Sequence, residues 1–110
     1  MSQDHSKPSR LDAQQVFEIV SVSAEGRLHN NPESKVLGFV DLTLYFQPGG
    51  SLTVHGCGVL REDGKPPYVL LPGRKGERRT FPTVAATGEI RRVIDQAVLK
   101  EYERLKSAVE

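Results

Sequence analysis

The sequence predicts an α+β fold: a small four- to five-stranded antiparallel sheet followed by one long C-terminal helix. Three observations point there. Apolar and polar residues alternate with period two through Val36–Phe46. Turn signals separate a series of short apolar runs up to Pro72. From Ile90 onward the apolar spacing becomes that of a helix. The chain has 110 residues, room for one domain. A folded chain of that size buries roughly 65% of the surface its unfolded form exposes, so it has a real core.

Residues 1–15 are polar, with Leu11 and Ala13 as apolar interruptions. They are expected to form a disordered lead, because such a segment buries too little to offset its ordering entropy. Residues 16–108 are expected to form a single domain. Val16–Ala24 reads as the first strand, β-branched at Val16, Ile19, Val20 and Val22 and closed by a turn at Glu25-Gly26. A loop follows through Arg27–Ser34, around Asn30-Asn31-Pro32. In the second strand, Val36, Val40, Leu42, Leu44 and Phe46 share one face, and Leu37, Phe39, Asp41, Thr43 and Tyr45 share the other.

Gln47-Pro48-Gly49-Gly50 turns the chain, since proline fixes φ and glycine supplies positive φ. Ser51–Leu60 returns as the third strand. Glu62-Asp63-Gly64-Lys65 turns again, and Tyr68–Leu71, closed by Pro72, makes a short fourth. Gly73–Thr80 reads as a basic, glycine-punctuated loop and Phe81–Val84 as a short extended piece. Thr87 then suits an N-cap, with Glu89 in the first turn where a negative charge complements the helix dipole. Ile90, Val93, Ile94, Ala97, Val98, Tyr102 and Leu105 give the helix its apolar face; Arg91, Arg92, Asp95, Glu101, Arg104 and Lys106 give it a polar one. One helix covers one face of the sheet. The other face is left to water or a second subunit, and Leu37, Phe39 and Tyr45 favour a homodimer there.

Composition narrows the function. One cysteine, Cys57, excludes an intramolecular disulfide framework and a Cys-rich zinc module. No stretch reaches the roughly 18 consecutive apolar residues of a membrane helix, and the polar start lacks the apolar run of a secretory signal. A cytoplasmic protein without membrane contact is the expectation.

Catalytic motifs are absent. There is no Gly-x-Ser-x-Gly elbow and no phosphate loop. Gly56-Cys57-Gly58 matches only the first two glycines of a dinucleotide fingerprint and lies inside a strand, where that motif has no mechanism. His5 and His29 sit in the lead and beside a loop. Alternation would put His55 and Cys57 on one strand face, but two ligands fall short of the three or four of a stable zinc site. A half-exposed histidine and a small buried cysteine are the plainer expectation. Glu62-Asp63 beside Gly64 reads as turn chemistry. No enzyme activity, cofactor, metal or small-molecule substrate is expected.

Charge is more informative. The net charge is +1, but residues 60–92 hold eight cations against four carboxylates, so that segment is +4 and the rest of the chain −3. Arg74, Lys75, Arg78 and Arg79 lie within six residues, and Arg91 and Arg92 open the helix. If loop and helix start converge, these six side chains, with the free N–H groups of the helix N-terminus, make a surface for phosphates. Phe81 and Tyr68 flank the loop and are candidates to stack unpaired bases. The plain alternative is a solvated loop with both aromatics in the core.

Three blocks resemble the SpoVG family of small bacterial septation and gene-regulatory proteins: Val54-His55-Gly56, Tyr68-Val69-Leu70-Leu71-Pro72-Gly73-Arg74-Lys75, and the helix from Ile90-Arg91 through Asp95-Gln96-Ala97-Val98-Leu99-Lys100-Glu101-Tyr102-Glu103-Arg104-Leu105. Gly56 stands where the family has Asp, and Phe81–Ala86 replaces its Ala-x-Pro-Ile-Asn segment. The resemblance implies a small sheet with a C-terminal helix, a homodimer, DNA or RNA binding, and a link to septation or gene regulation. It implies that Arg74 and Lys75, and at the helix start Arg91 and Arg92, contact nucleic acid; Arg78 and Arg79 share the first group's loop. The rival reading is a protein-interaction module that docks a partner on the uncovered sheet face.

Overall fold

A computed structural model describes residues 15–31 and 33–109. Pro32 and all of the expected disordered lead except Gln15 lie outside the described residues. Six strands precede one helix: β1 (Glu18–Leu28), β2 (Val36–Gln47), β3 (Ser51–Leu60), β4 (Tyr68–Leu70), β5 (Gly73–Lys75), β6 (Thr80–Pro82) and α1 (Gly88–Val109). β1 to β4 form an antiparallel meander in chain order, and β5 and β6 form a separate two-stranded ribbon. The fold is α+β. Among the described residues no helix is long and apolar enough to cross a membrane.

The helix lies on one face of the meander. Val40, Leu42 and Leu44 of β2, Val54, Cys57 and Val59 of β3, and Val69 of β4 are buried against Ile94, Val98 and Tyr102 of α1. Period two in β2 and period 3.6 in the helix bring these positions together, while β3 changes register between Val54 and Cys57. Val93, Ala97 and Leu99 pack around them, half-buried.

The first strand departs from expectation. It begins two residues later than Val16 and runs on through Glu25-Gly26, the expected turn, to Leu28. The reason is the helix. Gly26 sits opposite Val40, and a Cβ there would lie 3.0 Å from Leu105 Cδ1, from Phe39 O and from Val40 Cγ2. This glycine is a point of close approach inside a strand, not a chain reversal.

A second departure lies in β3. Val40 faces Cys57 but Leu42 faces Val54, so Asp41 opposes one residue more than the pleat provides. The surplus is a β-bulge at His55-Gly56, with Gly56 at φ +79°, a conformation glycine adopts without strain. Asp41 Oδ1 accepts the Gly56 N–H at 2.8 Å and holds the bulge. The bulge breaks the alternation, so His55 and Cys57 do not share a face. Cys57 is buried in the core, whereas the His55 side chain is 78% exposed.

The third departure is the Gly73–Thr80 segment. It is not an irregular loop but the ribbon β5–β6, with Gly73 opposite Pro82, Arg74 opposite Phe81 and Lys75 opposite Thr80.

Candidate nucleic-acid interface

The ribbon is built on Pro72. Its carbonyl accepts the N–H of Thr83 at 3.1 Å, the N–H of Val84 at 3.3 Å and the Thr83 hydroxyl at 3.1 Å. Leu71 and Val84, either side of this knot, pack on the core. Beyond it, β5 and β6 pair with each other and pack against neither the meander nor the helix. The ribbon therefore projects from the body. At its tip the Gly76 N–H donates to Arg79 O at 2.8 Å, closing a turn through Glu77 and Arg78.

Four of the six expected site residues sit on this ribbon. Arg74, Lys75, Arg78 and Arg79 are all exposed, and among the described residues no carboxylate pairs with any of them. Cross-strand partners share a face. Arg74 and Phe81 therefore lie on one face, as do the next pair, Gly76 and Arg79; Lys75 lies on the other. The Arg79 guanidinium sits over the Phe81 ring, 4.6 Å from its centre, within cation–π range.

The two helix arginines are placed differently. Arg91 Nε donates to Asp95 Oδ1 at 2.8 Å, and its Nη2 donates to the Val69 carbonyl of β4 at 2.7 Å. That guanidinium ties α1 to the last strand of the meander. Arg92 pairs with Glu89 at 3.3 Å, both side chains well exposed. α1 makes no direct contact with either ribbon strand, so the helix-start arginines and the ribbon cations are held by separate parts of the fold.

Neither aromatic is in the core. Phe81 is 38% exposed beneath Arg79, and Tyr68, in β4 and not on the ribbon, is 42% exposed on the sheet face away from the helix. That outer face is polar at its centre, where the Thr43 and Thr53 hydroxyls meet at 2.9 Å and Asp41 Oδ2 lies 3.6 Å from His55 Nδ1. Of the apolar trio expected there, Leu37 packs with the core, Phe39 lies half-buried with the Arg27 guanidinium 5.5 Å from its ring centre, and Tyr45 is 42% exposed.

Sequence reasoning misplaced Glu101. Its charge assigned it to the polar face of α1, yet it is 7% exposed. One carboxylate oxygen accepts the Gly26 N–H at 3.0 Å, and Arg104 donates to both oxygens at 2.6 and 3.0 Å. The Arg104 hydrogen bonds, aided by the Gly26 N–H, hold the carboxyl below its ordinary range against the opposing effect of burial. A signal was present: position 101 is three residues after Val98 and seven after Ile94, which is the apolar stripe itself. Cys57 shows the reverse. Burial, then the Asp41 charge, push its thiol above the ordinary value, away from the reactive thiolate.

Among the described residues no group of three or more His, Cys, Asp or Glu side chains is placed to hold a metal ion. No protein-family model, no curated protein and no solved structure matches this chain.

Proposed function

We propose that this chain is a nucleic-acid-binding regulatory protein of the SpoVG type, acting in septation or gene regulation and gripping phosphates with Arg74, Lys75, Arg78 and Arg79. One observation carries the reading: these four cations stand on a ribbon that projects from the body, exposed and without carboxylate partners among the described residues. Cations that no carboxylate neutralises are free to release counterions from a polyanion. Arg91 is engaged with Asp95 and Val69, so it belongs to the fold in this reading, and Arg92 is at most an outlying contact. The homodimer comes with the SpoVG resemblance, which rests on the three sequence blocks. The rival module that docks a foreign protein on the outer sheet face has less support, since Leu37 packs inward and Phe39 lies beside Arg27.

Filter binding with single- and double-stranded probes over a salt series tests the proposal. The Arg74→Ala/Lys75→Ala variant should bind more weakly at low salt, and its log–log salt slope should be shallower by about two, one unit per lost phosphate contact. Binding equal to that of the unaltered protein would overturn the assignment.

A further inference from the structure

The ribbon has cations on both faces. Arg74 and Arg79 share one face with Phe81, Lys75 lies on the other, and Arg78 stands in the turn. A single strand laid along one face leaves the opposite cation without an anion. A duplex groove has phosphates on both walls, and a two-stranded ribbon fits the major groove of B-form DNA, roughly 12 Å wide. The deep, narrow major groove of A-form RNA does not admit it.

Phe81 bears on the same choice. A platform for unpaired bases needs an open ring face. Here Arg79 takes one face of the ring, in competition with any base on that side, and Gly76 leaves the room for it: a Cβ there would come within 2.5 Å of Phe81 Cε2 and 2.9 Å of Arg79 O. The absence of a side chain at residue 76 is what lets the ring lie diagonally across the ribbon and carry the guanidinium. Stacking restricts a long side chain that would otherwise lose rotamer freedom on meeting its ligand, so the arrangement lowers the ordering cost of binding.

Resting on the proposal that the ribbon binds nucleic acid, we infer that it enters the major groove of duplex DNA, its two faces taking phosphates from opposite walls, and that Phe81 is a positioning residue that holds Arg79 for one of those phosphates instead of stacking a base.

The test uses the full chain and three probes of one sequence: a 20-base-pair DNA duplex, its single strand and the matching RNA duplex. Binding should be tightest to the DNA duplex. Phe81→Leu should weaken duplex binding about fivefold, the scale of immobilising one rotamer-rich side chain. Arg79→Ala should weaken it at least as much, and the double variant no more than Arg79→Ala alone. Phe81→Tyr, which keeps a ring under the guanidinium, should restore binding. Tighter binding to the single strand, or a Phe81→Leu loss that adds to that of Arg79→Ala, would overturn the inference in favour of base stacking. If Arg74→Ala/Lys75→Ala weakens binding and Phe81→Leu does not, the positioning role alone fails. If the unaltered chain binds none of the probes, the nucleic-acid reading fails with it.

Discussion

At the seam between β1 and α1, the Glu101 carboxylate, its side chain 6% exposed, is met by a guanidinium and by the N–H of Gly26. On the β5–β6 ribbon, four cations stand in water with no such partner among the described residues. The two regions separate charge that serves the fold from charge that does not. A buried carboxylate persists only when its oxygens are occupied, so Glu101 fixes where along the helix β1 must dock. The ribbon cations tie no element to another; the one contact among them, Arg79 over Phe81, lies within the ribbon itself. Removing charge at the seam should therefore cost stability, and removing it on the ribbon should cost binding.

The contrast is widest against the core itself. Leu42, fully buried between the helix and the neighbouring strands, should lose about 2–5 kcal/mol on replacement by Ala, from lost transfer energy and the cavity left behind. Urea denaturation followed by circular dichroism measures it, and a loss below 1 kcal/mol, on the order of a surface change, would contradict the packing described here.

The seam comes next. Glu101→Ala leaves the Gly26 N–H without its acceptor and should cost about 1–3 kcal/mol, the range for a charged hydrogen bond and an unmet donor. The effect has a pH signature. The folded carboxyl is held below its ordinary range, near 4.3 in an unfolded chain. Its contribution is therefore complete above that value and is lost as pH falls through the folded value. The stability gap between the unaltered protein and Glu101→Gln should be widest near neutral pH and close on acidification. A gap that widens with acid would mean that the carboxyl is not held ionised by the fold.

The smallest expected effect is on the ribbon. Replacing Arg74, Lys75 or Arg78 singly by Ala should leave the unfolding free energy within about 0.5 kcal/mol, since ordinary surface substitutions rarely exceed that. A larger loss would show that the ribbon charges support the fold, and the contrast between the two regions would collapse.

Much of the fold was legible in the sequence, for identifiable reasons. β2 was read almost to the residue, and the apolar stripe of α1 with it, because each buries one face, Val40-Leu42-Leu44 and Ile94-Val98-Tyr102, and periodicity reports burial; the bounds of β3 came from the turns that flank it. What stayed hidden was set by contacts between elements. Glu25-Gly26 carries the local chemistry of a turn, but the helix needs a residue without a side chain there. Glu101 lies on the inward stripe because a backbone donor 75 residues away in sequence waits for it. The basic cluster was found from charge alone, but its form was not. Three-residue strands such as Gly73–Lys75 are too short for alternation to show. Arg91 shared the charge of that cluster and only its geometry, pointed at Val69 O and Asp95, reveals a different task.

The same helix also governs the margins of the meander. Among the described residues its outermost strands are β1 and β4, and an outermost strand offers spare donors and acceptors on which a passing extended chain can zip. From one side Glu101 has taken a donor of β1, and from the other Arg91 has taken an acceptor of β4. An incoming strand would have to dislodge a charged group at either rim and strand it against peptide. One helix thus sets a charged group of opposite sign at a single point on each rim, and a strand adding there meets an obstacle on each flank.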